Sequence, residues 1–382
     1  MKRRGFLALG AGALASPVLA PAAAQAAAGT TPATAEPAPD SLRGLAAMVG
    51  LRFGTALIPF DLDTPAYAQI AAEQFSVVTP GNEMKWQVVE PEQGVYDWSG
   101  ADNLVAFAQQ NGQLVRGHTL LWHSQLPNWL TSGVTDGTIS ATELASLLKQ
   151  HIFTEVTRFR GKIWQWDVAN EFFKDGDPSG IDPNNWWIQQ LGPDIIPQAF
   201  RWAHEADPHA LLVYNDYNIA GEDGSNAKSD AVYAWLRQML SQGVPIHVVG
   251  DQGHLDTRYG FPTLMASDLQ RYADLGLKVA ITEADVRTFV DGPTTQVPTD
   301  KLAPLAHAYE YSGMLKAALS VPECISFTVW GFGDADSWVP GTFQGEGYAG
   351  IYDVDLNAKP AYYDLQRDLQ LAAYGAPHRV GG

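Results

Sequence analysis

Eight short apolar runs, each followed by a longer amphipathic stretch, fill residues 51–373 of the chain. Strands are expected at Leu51–Leu57, Phe75–Thr79, Gln113–Trp122, Ile163–Asn170, Ala210–Asn215, Ile246–Gln252, Lys278–Thr282 and Ile325–Trp330. Helices are expected at Thr64–Glu73, Trp98–Asn111, Ala141–Arg160, Pro197–Asp207, Asn226–Gln242, Thr263–Leu275, Thr299–Ser320 and Pro360–Ala373. Strands that are apolar throughout must be covered on both faces, as in parallel sheets crossed by helices. Eight such units predict an α/β fold, a single-domain (β/α)8 TIM barrel. An open doubly wound sheet is the alternative, but it usually carries a Gly-rich phosphate loop after its first strand. Here the first strand runs on into Ile58-Pro59, without that loop.

Polar residues are placed with the same regularity. Asn82-Glu83-Met84-Lys85-Trp86, Trp122-His123, Asn170-Glu171, Asn215-Asp216-Tyr217-Asn218, Asp251-Gln252-Gly253-His254, Glu283-Ala284-Asp285 and Trp330-Gly331 all stand at the C-terminal ends of expected strands. One or two such clusters are ordinary turn residues and helix caps. Seven at one pole mark the face on which barrel active sites are built.

Two of these ends carry a glutamate, Glu171 and Glu283. A lone strand-end glutamate is usually a surface or capping residue. A pair within a ring of His, Asn, Gln and Trp points to cleavage of a glycosidic acetal. That reaction needs a proton for the leaving oxygen and a carboxylate for the oxocarbenium-like carbon. Carboxyls about 5–5.5 Å apart would imply retention of configuration, and roughly 6.5–9.5 Å inversion. A metal hydrolase built from Asp251, His254, Asp256 and Glu283 is a rival, but the spacing matches no zinc signature. Neither a metal nor a cofactor is expected. Twelve tryptophans supply flat faces on which C–H-rich sugar rings can rest.

Gly117-His118-Thr119-Leu120-Leu121-Trp122-His123, Trp166-Asp167-Val168-Ala169-Asn170-Glu171, Asn215-Asp216-Tyr217-Asn218, Gln252-Gly253-His254 and Ile281-Thr282-Glu283-Ala284-Asp285 resemble the motifs of glycoside hydrolase family 10. So do Phe327-Thr328-Val329-Trp330-Gly331 and Asp336-Ser337-Trp338, and the resemblance covers residues 45–372 in order. It implies a (β/α)8 barrel and a retaining endo-β-1,4-xylanase acting on xylan or xylo-oligosaccharides without metal or cofactor. It implies Glu171 as general acid/base and Glu283 as nucleophile. His254 would bind the nucleophile with Asp285 behind it, and Asn170 would grip the sugar 2-hydroxyl. Asn82, Lys85, Trp86, His123, Tyr217, Gln252, Trp330 and Trp338 would surround the sugars. A cis peptide at His118–Thr119 is implied as well.

One position departs from the family pattern. A glutamate usually precedes the asparagine equivalent to Asn82, and here the residue is Gly81. The departure predicts a roomier or weaker subsite. It leaves, as an alternative, a retaining β-glycosidase of the same family acting on decorated or atypical β-glycosides. A non-catalytic carbohydrate-binding barrel is a further rival, against which the retention of both glutamates argues. Packing is as good a reading as sugar contact for Trp86, Trp122, Trp164, Trp166 and Trp202. Asp167 is expected to face away from Glu171 and to be structural.

The first residues read differently from the rest. Lys2-Arg3-Arg4, the apolar run from Gly5 to Ala15 and Ala24-Gln25-Ala26 resemble a twin-arginine export signal with its cleavage site. The expected organisation is a signal at residues 1–26, a flexible Ala/Pro/Thr linker at 27–40, a catalytic domain at 41–375 and a tail at 376–382. An exported protein, periplasmic or secreted, is expected. Cys324 is the single cysteine, so no intramolecular disulfide can form, and it is read as a small buried hydrophobe. A net charge of −18 disfavours nucleic acid and anionic membranes as partners. A neutral polysaccharide partner and a monomer are expected.

Overall fold

In the computed structural model, residues 38–375 are described. The expected signal, nearly all of the linker and the tail lie outside the described residues. Eight strands form the centre: β1 (Arg52–Leu57), β2 (Val77–Pro80), β3 (Leu114–Leu121), β4 (Gln165–Asn170), β5 (Leu211–Asp216), β6 (Val248–Asp251), β7 (Lys278–Phe289) and β8 (Cys324–Val329). Each pairs in parallel with the next, and β8 pairs back onto β1, with Phe53 opposite Phe327. The ring is closed and helices connect its strands, so the expected (β/α)8 barrel is what the chain forms.

Alternation along the strands divides the core in two. Val213 of β5, Val248 of β6 and Ala280 of β7 pack as a small inner group. Their neighbours Leu212, Val249 and Val279 belong to the main core shared with the helices. The helix Ala141–Arg158 shows why a helix forms and lies where it does. Ser140 caps it by accepting from the Glu143 amide. Leu144, Leu148, Ile152 and Val156 recur every four residues and are buried. Each such side chain contributes about 1.5–3 kcal/mol by leaving water.

Strand ladders slip where the polar ends begin. Register shifts lie between His118 and Leu121, between Asp167 and Ala169, and between Ile281 and Ala284. Such bulges re-aim side chains beside active sites. The His118–Thr119 peptide is cis, as implied by the resemblance.

The structure differs from expectation mainly in length and in small elements. β7 runs to Phe289, seven residues past its expected end. Its polar half is held by the short strands His254–Asp256 and Glu346–Gly347, partners that no local pattern announces. Helices at Leu42–Met48, Asn128–Thr135 and Trp186–Leu191 are additional. Among the described residues, no helix is long and apolar enough to cross a membrane.

Candidate active site

The C-terminal ends of the strands open into a cleft of about 690 Å³. Gly81, Asn82 and Lys85 line it from β2, and His118 and Trp122 from β3. Glu171, Tyr217, Gln252, His254, Glu283, Trp330 and Trp338 complete it from the strands that follow.

Glu171 leaves β4 at φ 61°, a left-handed backbone that a residue with a side chain adopts at a cost of about 1–3 kcal/mol. Its amide donates to the Asn215 carbonyl at 3.0 Å, and Asn185 Nδ2 donates to its carbonyl at 3.3 Å. Its carboxylate accepts from Trp122 Nε1 at 2.6 Å and Gln252 Nε2 at 3.0 Å. Burial raises its pKa, helped by the charges of Asp216 and Glu283, and outweighs the two donors.

Glu283 has different company. Oε1 accepts from Asn215 Nδ2 at 2.8 Å and lies 3.7 Å from the Arg116 guanidinium. Oε2 faces His254 Nε2 at 3.6 Å. Burial alone would raise its pKa, but the interaction with His254 and the cations around it reverse the sign and lower it. His118 is 4.0 Å away, yet burial pushes its own pKa well down and leaves it neutral. The positive charges within ion-pair range of Glu283 are therefore Arg116 and His254. Burial opposes charge on His254, but Asp285 at 3.0 Å from Nδ1, together with Glu283, pushes its pKa up to about 10. Asp285 is fixed in turn by Trp338 Nε1, which donates at 2.7 Å.

Asn170 sits between the two glutamates. Its Oδ1 accepts from Asn215 Nδ2 at 2.7 Å and from Gln252 Nε2 at 3.4 Å. Its Nδ2 is buried and has no partner among the described residues. On the β2 side, Lys85 Nζ lies 3.5 Å from Asn82 Oδ1 and 4.9 Å from the centre of the Trp122 ring. Burial lowers the Lys85 pKa against the pull of Glu283 and Glu171. Gly81 lies beside Ile58, and a Cβ there would meet Ile58 Cγ2 at 3.0 Å. Asp61 and Asp336 line the same end, and burial together with Asp336 pushes Asp61 up to about 7.

Of the residues named from sequence, Glu171, Glu283, His254, Asn82, Lys85, Tyr217, Gln252, Trp330 and Trp338 line the cleft, with Asn170 and Asp285 directly behind them. Two do not reach it. Trp86 is 3% exposed, stacks on His151 at 4.1 Å and donates to Glu90. It belongs to the core. His123 follows the end of β3, is exposed and lies outside the cleft, its ring edge-on to that of Trp122 at 5.9 Å. The histidine of that strand that faces the cleft is His118; the sequence motifs contained it and Asn215 without giving either a role in the site, and Arg116 was not singled out. Asp167 is corrected too. Residues four apart on a strand share a face, and Asp167 accepts from both Arg116 and His118 inside the barrel, close to Glu283. A histidine and an arginine inside an otherwise apolar strand were the available signal.

Among the described residues, His118, Asp167 and Glu283 bring ligand-type atoms within 4.8 Å of one another. Arg116 already donates into this group, so the cation matched to it is a guanidinium. Asp256, one of the rival metal ligands, pairs with Arg258 and Arg287 instead.

A profile described as glycosyl hydrolase family 10 matches residues 41–367. Endo-1,4-beta-xylanase B of Thermotoga neapolitana is 40% identical over 304 residues, covering 80% of this chain and 83% of that protein. Endo-1,4-beta-xylanase of Agaricus bisporus is 39% identical over 327 residues, 85% of this chain and 93% of the relative. Xylanase 10B from Thermotoga petrophila, solved in complex with xylobiose, superposes with a TM-score of 0.80 at 37% identity, over 87% of this chain and 98% of that one. These relatives are named as xylanases, which does not favour the alternative of atypical β-glycosides.

Proposed function

The chain belongs to glycoside hydrolase family 10, and on that premise we propose that it is a retaining endo-β-1,4-xylanase acting on xylan or xylo-oligosaccharides. The observation that carries the mechanism is the opposite bias of two carboxyls in one cleft, Glu171 towards its proton and Glu283 towards its charge. Glu283 attacks the anomeric carbon while Glu171 gives its proton to the leaving oxygen, forming a covalent glycosyl-enzyme. Glu171, now a carboxylate, takes a proton from water, which attacks the same carbon and releases Glu283.

The surrounding residues serve these two steps. His254, held by Asp285, keeps Glu283 charged and aimed. The unpartnered Nδ2 of Asn170 suits the hydroxyl next to the anomeric carbon, a contact that strengthens as positive charge develops there. Asn82 and Lys85 offer donors to the sugar on the non-reducing side. Trp330 and Trp338 offer indole faces, and Tyr217 and Gln252 border the opposite side.

Digestion of linear xylan followed by NMR of the first-formed anomer tests the reading. The β-anomer should appear first; an α-anomer would show inversion and rule the mechanism out. Glu283→Ala should abolish turnover, and azide should rescue it as the α-glycosyl azide. With Glu171→Ala, azide should give the β-glycosyl azide.

We assign residues 1–26 to export and residues 41–375 to catalysis, on the arginine pair, apolar run and small residues of the leader. Fusing residues 1–40 to a reporter should export it, and replacing Arg3 and Arg4 with Lys should stop export. Sedimentation should show a monomer.

A further inference from the structure

Behind the cleft, on the outer face of β6, several buried oxygen atoms converge without donors. Asp251 ends β6 but does not line the cleft. It shares its face of the strand with Val249, which packs in the core under the helices. Asp251 is 0% exposed, and neither of its carboxylate oxygens meets a donor among the described residues. The group facing it is another carboxyl, Glu222 of the loop after β5, with the charge of Asp268 close by.

Glu222 Oε1, Asn226 Oδ1 and Asp268 Oδ2 are likewise buried and without a donor among the described residues. A Cβ on Gly221 would lie 3.4 Å from Asn226 Oδ1 and 3.8 Å from Asp268 Oδ2, so both oxygens border one small space. Asn226 stands at the N-cap of the helix Ala227–Ser241, where an asparagine oxygen ordinarily accepts from a helix amide, yet it makes no such bond. The nearby cations are engaged elsewhere. Lys228 pairs with Asp216 at 2.8 Å and Asp175 at 2.9 Å. Arg271 pairs with Asp230 at 2.5 Å and reaches only Oδ1 of Asp268, at 3.2 Å. Asp251 has no cation partner among the described residues, a state that a buried carboxylate does not tolerate. A proton shared with Glu222 would satisfy that pair alone and leave Asn226 and Asp268 unanswered.

We propose that Asp251, Glu222 and Asn226 bind a divalent metal ion, calcium by preference, with Asp268 supplying further negative charge. Carboxylates and an amide oxygen form an all-oxygen set that suits a hard cation. Calcium accepts irregular sets of roughly six to eight oxygens, whereas magnesium demands an octahedron. Glu222, Asp251 and Asp268 do not bring one oxygen each within 4.8 Å of one another, which makes Asn226 the third direct ligand and Asp268 an outer one. Glu222 and Asn226 also line a cavity of about 1000 Å³, an entry path for the ion and for waters completing its shell. The ion does no chemistry on the sugar. It ties the loop after β5, which brings Tyr217 and Asn218 to the cleft, to β6, which leads into Gln252 and His254.

The test is calcium binding to the whole protein after EDTA treatment and desalting, read by calorimetry and by thermal unfolding. Magnesium, and sodium at equal ionic strength, are the controls. The wild type should bind about one calcium per chain and unfold about 3–6 °C higher at roughly a hundredfold excess over Kd. Magnesium should do less and sodium nothing. Asp251→Asn keeps the shape, removes the charge and should lose the calcium response. In EDTA it should be at least as stable as the wild type, because a buried carboxylate without a cation has gone. Asn226→Ala should weaken calcium binding at least about tenfold, and it decides the matter if Asp251→Asn does not fold. No saturable binding to the wild type, or unweakened binding to Asn226→Ala, overturns the proposal. So does an equal calcium response in wild type and Asp251→Asn, which would mark ions held by the acidic surface at large. A wild type stabilised by acidification but not by calcium would show that a shared proton holds the carboxyls, and overturns it too.

Discussion

Glu171 and Glu283 are the same side chain at the ends of two strands of one ring, yet their neighbours differ in sign. Glu171 is met by neutral donors, Trp122 and Gln252, with the carboxylate of Asp216 nearby. Glu283 is met by Arg116 and by a charged His254. Neutral donors leave burial to decide, and burial keeps a proton. Fixed cations override burial and expel it. Two roles are thus written by neighbours on β3, β5 and β6 rather than by the glutamates themselves.

The hardest test of this contrast removes each carboxyl. Glu283→Ala should lower kcat by about 10⁴-fold or more on every substrate, because no intermediate can form. Glu171→Ala should lower it about 10²–10⁴-fold on xylan, but far less in glycosylation by aryl xylosides whose leaving groups need no proton. Burst kinetics with a dinitrophenyl xyloside would separate the two, and identical profiles would end the distinction. Next in size is His254→Asn, expected to cost about 10²-fold. Glu283 must be ionised and loses a cation, so its pKa rises and the acid limb of the pH–rate profile moves to higher pH. An unmoved acid limb would mean that His254 only packs.

Trp122→Phe acts on the other member. It removes a donor that favours the charged form of Glu171, so the pKa rises and the alkaline limb should move up with a loss of only about two- to tenfold. A downward shift would contradict the neutral-donor account. The smallest effect is expected furthest from both carboxyls. Gly81→Glu needs Ile58 to yield by a few tenths of an ångström. It should lower KM for linear xylo-oligosaccharides about two- to fivefold. No gain would show that Asp61 and Asp336 already fill that role.

The barrel could be read from the sequence because its strands are apolar on both faces and its helices carry stripes four residues apart, as in Leu144, Leu148, Ile152 and Val156. Both glutamates could be read because each closes such a strand. Residues that act from within strands were harder. Arg116 and Asp167 neutralise each other across β3 and β4, a pairing made by residues 51 apart. His123 stood out as a polar residue at a strand end, but β3 stops at Leu121 and the ring lies outside the cleft. Trp86 follows a functional cluster, yet it opens a single helical turn and its ring packs in the core against His151. Local pattern shows where a strand ends, but not which way its last side chain turns once a bulge intervenes.

The seam between β1 and β8 has a kinetic consequence. It joins Phe53 to Phe327, and the cleft beside it is assembled from both ends of the chain, Gly81 and Asn82 facing Trp330 and Asp336. Pairings so distant in sequence form slowly, since a long loop must close before any contact rewards it. No nascent or clipped fragment holds this cleft, so the appearance of hydrolysis during refolding would time the closing of the ring.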